Sequence, residues 1–115
     1  MTAKVKLEKE IKSFIKMSGG FAWRNETTGI YDVASGNYRK KESSDRGSSD
    51  LLAVFNGFLI CIETKIGTDK QSDSQKEFQE GIKGAGGVYM IVNDYEGFLY
   101  QWDLFIWWIE QKRMK

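Results

Sequence analysis

Residues 48–65 read SSDLLAVFNGFLICIETK, with two apolar runs on either side of Asn-Gly at positions 56–57. Asn-Gly between apolar runs is the strongest short-range signal for a β-hairpin, because both turn residues must adopt positive φ angles. The stretch therefore predicts two antiparallel strands, LLAVF and FLICIET, joined by a two-residue turn. Asp50 precedes the first strand, and Glu63 and Lys65 lie at the end of the second.

The two-residue turn also predicts the register of the hairpin. Phe55 would face Phe58, and counting outward from this pair places Asp50 opposite Glu63 on one face of the sheet. Theirs would be a non-hydrogen-bonded pair, the closer kind, with Cβ atoms about 4.5–5.5 Å apart. Lys65 lies two residues beyond Glu63 and would point to the same face.

Two carboxylates in this arrangement repel each other and need a counter-charge. Lys65 supplies one positive charge. A divalent cation would supply two more, and ligands that are all oxygen suit Mg²⁺ or Mn²⁺. The alternative is a frayed strand end, at which the carboxylates point into water and Lys65 is an ordinary ion-pair partner.

The composition excludes several kinds of site. None of the 115 residues is His, which removes His-based acid–base catalysis, Ser-His-Asp and Cys-His nucleophiles, and most zinc sites. The formal net charge is +1, so any affinity for nucleic acid must come from a local patch. The single Cys favours a reducing compartment, and no apolar run approaches the roughly 18 residues of a membrane span. We expect a cytoplasmic protein without a membrane segment.

Apolar periodicity and turn signals predict the remaining elements of the chain. They indicate helices over 4–17, 72–85 and from about residue 94 onward, strands over 21–26 and 87–92, a short strand with turns within 28–36, and an exposed, mobile loop over 34–49. The order α-β-β-β-α-β-α predicts one α/β domain over residues 1–115. Its centre would be a mixed β-sheet flanked by helices.

The segments GGFAW (19–23), GSSD (47–50), CIETK (61–65), SDSQKEFQ (72–79) and GGVYMIV (86–92) follow one another in a specific order. Together they resemble the VRR-NUC family, the virus-type replication-repair nucleases of the PD-(D/E)xK superfamily. The resemblance covers about residues 7–95. It departs from the family before the first acid, where Ser49 stands in place of a frequent Pro, so the stiffness of the backbone there is in question.

This resemblance implies a restriction-endonuclease-like fold and a Mg²⁺-dependent deoxyribonuclease, with Mn²⁺ as a substitute. The DNA substrate would be branched, as for a Holliday-junction resolvase, in a bacterial or phage-infected host cell. Asp50 and Glu63 would bind the metal together with the backbone carbonyl of Thr64, and Lys65 would orient or activate the attacking water. A Glu on the family's first helix matches Glu8, which would be a further acidic ligand.

Gln75 matches the family's Gln on the helix after the active-site strand. The spacing Ser72-x-x-Gln75 is also that of a capping box, so Gln75 could cap the helix, serve the site, or do both. The long loop carries Arg39, Lys40, Lys41 and Arg46, which we expect to contact DNA phosphates.

Three functions remain open at this stage. The first is an endonuclease, either the junction-cutting kind or a flap or restriction-type nuclease. The second is a nucleic-acid-binding module on the same fold that does not cut. The third is a structural or protein-interaction domain, which the Trp-rich C-terminus supports; the intact set of Asp50, Glu63 and Lys65 favours the first.

The last helix predicts a homodimer. One of its faces would cover the protein's own sheet with Tyr95, Phe98, Trp102, Phe105, Ile106 and Ile109. A second apolar stripe, formed by Tyr100, Leu104 and Trp107 with Trp108 at its edge, remains on the opposite side. A helix that is apolar nearly all round is normally buried on both sides, and a chain of this size has too little mass to cover it.

Overall fold

The computed structural model of this chain describes residues 1–25, 30–32, 37–39 and 49–114. Its elements in chain order are α1 (Ala3–Met17), β1 (Phe21–Arg24), β2 (Ile30–Asp32), β3 (Asn37–Arg39), β4 (Leu51–Phe55), β5 (Phe58–Thr64), α2 (Asp73–Gly84), β6 (Val88–Val92) and α3 (Tyr95–Arg113). A four-stranded sheet has the order β1-β4-β5-β6, antiparallel except for the parallel pair β5 and β6. The helices and the strands of this main sheet follow the predicted order α-β-β-β-α-β-α and confirm the predicted mixed sheet with flanking helices, whereas β2 and β3 form a separate two-stranded sheet.

The hairpin of β4 and β5 forms as predicted. Asn56 has φ 54° and Gly57 has φ 84°, the left-handed conformations that a tight turn of this kind requires. The register runs from Phe55↔Phe58 outward to Leu51↔Ile62. Because side chains alternate along a strand, this register gives β5 two different faces.

The first of these faces is the core. Ile60 and Ile62 of β5 are fully buried there, together with Leu51, Ala53, Met90 and Val92 from the neighbouring strands. α1 covers this face with Leu7, Ile11 and Ile15, and α3 covers it with Phe98, Trp102, Phe105 and Ile109. Edge-to-face ring contacts from Phe14 to Phe98 and Trp102, with centroids 5.5 and 5.7 Å apart, join the two helices. The predicted inner stripe of the last helix is confirmed.

The second face of β5 carries the polar chemistry. Cys61 and Glu63 point to it, and the parallel register brings Tyr89 of β6 beside Cys61. α2 packs over this side against β6, with Phe78 in ring contact with Tyr89. No residue of α2 is fully buried, so this helix covers the second face less tightly than α1 and α3 cover the first.

One predicted loop contains a strand. Residues 34–49 were expected to be an exposed, mobile loop because of their Ser, Gly and charged residues. Asn37–Arg39 instead forms β3, which pairs antiparallel with β2 through Ile30↔Arg39, Tyr31↔Tyr38 and Asp32↔Asn37. Backbone hydrogen bonding to a neighbouring strand, rather than local composition, decides this three-residue element. Residues 33–36 and 40–48 lie outside the described part of the chain.

The outer side of α3 is apolar and open to solvent. Tyr100, Leu104 and Trp107 are 67%, 51% and 60% exposed, whereas Trp108 at the edge of this stripe is half-buried. The predicted second stripe is therefore present. Neither α3 nor any other described helix combines the length and apolar character needed to cross a membrane.

The turn of the hairpin yields a stability prediction. Gly57→Ala should lower the free energy of unfolding by about 1 kcal/mol, since a Cβ is unfavourable in the left-handed conformation even where it meets no atom. Gly81→Ala is the matched control: it lies within helix α2 with open space around it, and should raise stability by about 1 kcal/mol. Denaturant unfolding measures both changes, and shifts of equal sign would contradict this account of the turn.

Candidate active site

The carboxylate of Asp50 lies at the end of the sheet, in a bend just before β4. Its Oδ2 accepts a hydrogen bond from the backbone N–H of Thr64 at 2.9 Å and lies 3.3 Å from the Thr64 hydroxyl. Its Oδ1 lies 3.4 Å from Nζ of Lys4, on α1. Asp50 is therefore held by a backbone donor and a hydroxyl of Thr64 and by the cation of Lys4.

These contacts explain where the hairpin ladder ends. In a continued ladder the N–H of Thr64 would donate to the carbonyl of Ser49. The Asp50 carboxylate takes that donor instead, and the Ser49 carbonyl accepts from Nδ2 of Asn25 at 3.0 Å. The hydrogen-bonded ladder ends at Leu51↔Ile62, one step before the predicted pair of Asp50 and Glu63, which stays a prediction. At the N–H of Thr64, the Asp50 carboxylate thus takes the place of the Ser49 carbonyl as acceptor.

Ser49 occupies the position where the family resemblance leads one to expect Pro. It is fully buried, and its hydroxyl donates to the carbonyl of Leu51 at 3.1 Å. This bond restrains the backbone on both sides of Asp50, as a Pro ring would do by fixing its own φ angle.

Glu8 lies beside Asp50. It is only 5% exposed, and its Oε2 lies 3.5 Å from the Thr64 hydroxyl. Burial, and secondly the charge of Asp50, raise the pKa of the Glu8 carboxyl, while Arg24 and Lys4 act in the opposite direction. The structure thus brings two of the predicted acidic residues together around Thr64.

The carboxylate of Glu63 is on the opposite face of β5 from Thr64 and is fully buried. Its Oε1 accepts hydrogen bonds from the hydroxyl of Tyr89 and from Nε2 of Gln71, the latter at 3.5 Å. Its Oε2 has no hydrogen-bond partner among the described residues. An unpartnered, buried carboxylate oxygen is energetically costly and calls for a ligand.

Lys65 and Gln75 are joined at the same side. Nζ of Lys65 donates to Oε1 of Gln75 at 2.9 Å. The same oxygen accepts from the backbone N–H of Ser72 at 2.9 Å, and Ser72 Oγ accepts from the backbone N–H of Gln75 at 3.2 Å. Gln75 therefore completes the predicted capping box of α2 and holds the lysine at the same time.

Comparison with solved structures identifies the fold. A structure titled "VRR_NUC domain" superposes on this chain with a TM-score of 0.61 at 19% sequence identity, over 84% of this chain and 89% of that one. The chain has the VRR_NUC fold. The restriction-endonuclease-like architecture expected from the sequence is thereby confirmed. No model of a protein family matches the sequence, and no curated protein matches it.

Within this fold the described carboxylates are not all directed toward one metal-binding position. No three His, Cys, Asp or Glu side chains of the described segments converge as a metal-binding group. The donor set nevertheless fits a hard divalent cation, because it consists of carboxylate oxygens and includes Oε2 of Glu63, which has no partner within the described segments. In the described structure the partners of the Asp50 carboxylate are Lys4 and Thr64.

The basic residues expected to contact DNA fall mostly outside the described structure. Lys40, Lys41 and Arg46 lie among the residues that it leaves out. Arg39 ends β3, for which only the backbone is described. Their contact with phosphates stays a prediction, as does a metal contact of the Thr64 carbonyl.

Sequence reasoning missed three residues of this site: Lys4, Gln71 and Tyr89. Two of them left a signal, because Lys4 precedes Glu8 by four residues on one helix, and Gln71 begins a row with Gln75 and Gln79 at the same spacing. Gln71 Nε2 donates to Gln79 Oε1 at 3.0 Å. Tyr89 left none, since its position depends on the pairing of two strands that are far apart in the chain.

The raised pKa of Glu8 predicts how stability depends on pH. A carboxyl whose pKa is raised by folding contributes stability below its ordinary value of 4.5, and this contribution is lost as pH rises through the raised pKa. Without metal, Glu8→Gln should therefore be more stable than the wild type near pH 7.5, and the difference should shrink toward pH 4. Thermal unfolding in EDTA measures this. Glu10→Gln, an exposed change on the same helix, should show no such trend.

Proposed function

We propose that this chain is a metal-dependent DNA endonuclease of the VRR-NUC family that hydrolyses phosphodiester bonds in branched DNA, in the manner of a Holliday-junction resolvase. The observation that carries the proposal is Glu63, a fully buried carboxylate with one oxygen that has no hydrogen-bond partner in the described part of the chain. It lies on the same face of β5 as Lys65, in a chain with the VRR_NUC fold. The cytoplasm of a bacterium or phage-infected cell is the proposed setting.

Glu63 and Asp50 are the proposed ligands of Mg²⁺, with Mn²⁺ as a substitute, and Glu8 and the Thr64 carbonyl complete the proposed set. When bound, the cation supplies Lewis acidity at the phosphate. Two features favour such a site: Oε2 of Glu63, which meets no donor among residues that the structure describes, and the ion pair of Asp50 with Lys4, in which Asp50 already attracts positive charge. Lys4 is only half-buried, so the pair can exchange at low cost.

Lys65 is the proposed partner of the scissile phosphate and the attacking water. No His is present in the chain, so a lysine is the side chain that can both neutralise phosphate charge and handle a proton at this site. Gln75 limits the freedom of Lys65 by accepting from its Nζ. We assign Gln75 this positioning task, in addition to its capping bond, and assign phosphate contacts away from the centre to Arg39, Lys40, Lys41 and Arg46.

Cleavage of defined DNA substrates tests the proposal. In Mg²⁺ or Mn²⁺ the wild type should cut a four-way junction at a higher rate than flap, single-stranded or linear duplex DNA. Asp50→Asn and Glu63→Gln should each reduce the rate by at least about a hundredfold, the scale seen when one group that stabilises developing charge is lost. Both should bind DNA as well as the wild type or more tightly, because less negative charge faces the phosphates.

Asp103→Asn is the control for these variants, as it removes an exposed charge on α3, a helix that carries none of the proposed site residues. Its rate should equal that of the wild type. Substantial cleavage by Asp50→Asn or Glu63→Gln at saturating Mg²⁺ would refute the metal assignment. A wild type that shifts DNA in a salt-dependent way but never cuts it would support the non-cutting binding module instead.

The open stripe of α3 supports a second element of the proposal, a homodimer. Tyr100, Leu104 and Trp107 form a contiguous apolar surface that soluble monomers rarely leave exposed. Self-association with twofold symmetry is the commonest way to cover such a surface. Two active sites related by a twofold axis would also suit paired cuts in a nearly symmetric four-way junction.

Light scattering at micromolar concentration tests the dimer. The wild type should have twice the chain mass of 13.2 kDa, and Trp107→Glu should return it to that mass, because a buried charge would oppose association. Met17→Glu, which adds the same charge at an exposed position of α1, should leave the dimer intact. A wild-type mass near 13.2 kDa would rule the dimer out, and a dimer that survives Trp107→Glu would place the interface elsewhere.

A further inference from the structure

The two oxygens of the Glu63 carboxylate have different surroundings. Oε1 accepts from the Tyr89 hydroxyl and from Gln71, whereas Oε2 is buried and meets no donor among the described residues. A carboxylate held through one oxygen presents the other in a defined direction. The protein therefore orients this group before any ligand arrives.

Tyr89 is well placed to hold the Glu63 carboxylate through Oε1. Its side chain reaches Glu63 from the neighbouring strand β6, two residues out of register, since Tyr89 pairs with Cys61. The ring of Phe78 on α2 packs edge-on against the Tyr89 ring at 6.3 Å, so the phenol is confined from the helix side. The Tyr89 hydroxyl donates its hydrogen bond directly to Glu63 Oε1.

Gln71 adds a weaker contact to the same oxygen. Its Nε2 lies 3.5 Å from Glu63 Oε1, 3.4 Å from the Gln75 carbonyl and 3.0 Å from Gln79 Oε1. Two of its three contacts are thus to α2. Gln71 links the position of the carboxylate to the helix that also carries the partner of Lys65.

We propose that Tyr89 is a positioning residue that holds Glu63 through Oε1 and so directs Oε2 toward a divalent cation, with Gln71 in support. The inference rests on the proposed function and extends it to a strand that carries none of the predicted site residues. Neither Tyr89 nor Gln71 touches the cation or the DNA in this arrangement; both act through Glu63. Residues that hydrogen-bond to a metal-binding side chain and so orient it typically contribute about 10- to 100-fold to metal affinity or activity.

Tyr89→Phe tests the proposal, because it removes the hydroxyl and keeps the ring that packs on Phe78. Mn²⁺ is titrated calorimetrically into the metal-free full chain, and cleavage is measured as a function of Mn²⁺ concentration. The variant should bind Mn²⁺ about tenfold more weakly. Its cleavage rate should recover to near the wild-type value when the metal concentration is raised, which a general loss of structure would not allow.

Two further variants complete the experiment. Tyr95→Phe removes a hydroxyl from a half-buried ring on α3, outside the site, and should leave Mn²⁺ affinity unchanged. Gln71→Leu should weaken Mn²⁺ binding less than Tyr89→Phe does, because its contact with Glu63 is longer and Gln71 is only half-buried.

The outcomes separate this inference from the proposed function. Suppose that the wild type binds Mn²⁺ and cuts DNA, and that Tyr89→Phe has the same Mn²⁺ affinity and the same metal dependence of cleavage. This result would overturn the role of Tyr89 and leave the proposed function standing. A rate loss that excess Mn²⁺ does not restore, at unchanged affinity, would also overturn it. A wild type that neither binds Mn²⁺ nor cuts DNA would overturn both proposals.

Discussion

The turn at Asn56 and Gly57 is the constraint on which the rest of the structure depends, because it sets the register of β4 against β5. A slip of one residue would exchange the two faces of a strand. Ile62 would then leave the core, and Glu63 would enter it against the apolar side chains of α1 and α3. A register set by two residues with positive φ angles thus decides which carboxyl group is available for chemistry and which side chains stabilise the fold.

Burial of Glu63 is the most costly feature that this register imposes. An ionised carboxylate in a protein interior needs charge-assisted hydrogen bonds or a counter-charge, and Tyr89 and Gln71 satisfy only one of its oxygens. A small domain has little stability to spare for such a group. The arrangement is understandable if a cation offsets the remaining cost.

The end of β5 separates two groups of polar side chains. On the core side, Asp50 and Glu8 gather around Thr64, and Lys4 offsets part of their charge. On the α2 side lies Glu63, with Lys65 held by the helix cap. The separation follows from local competition, since the Asp50 carboxylate takes a backbone donor that the ladder would otherwise use.

The sequence by itself determined the local features: the hairpin and its register as far as Leu51, the capping box of α2, and the two apolar faces of α3. Each depends on residues that are neighbours along the chain, through turn geometry, a cap or helical spacing. Tertiary structure alone decided that Tyr89 reaches Glu63 and that Lys4 pairs with Asp50. Those contacts depend on the crossover from β5 through α2 to β6 and on the docking of α1, in which segments distant in sequence compete for the same hydrogen-bonding groups.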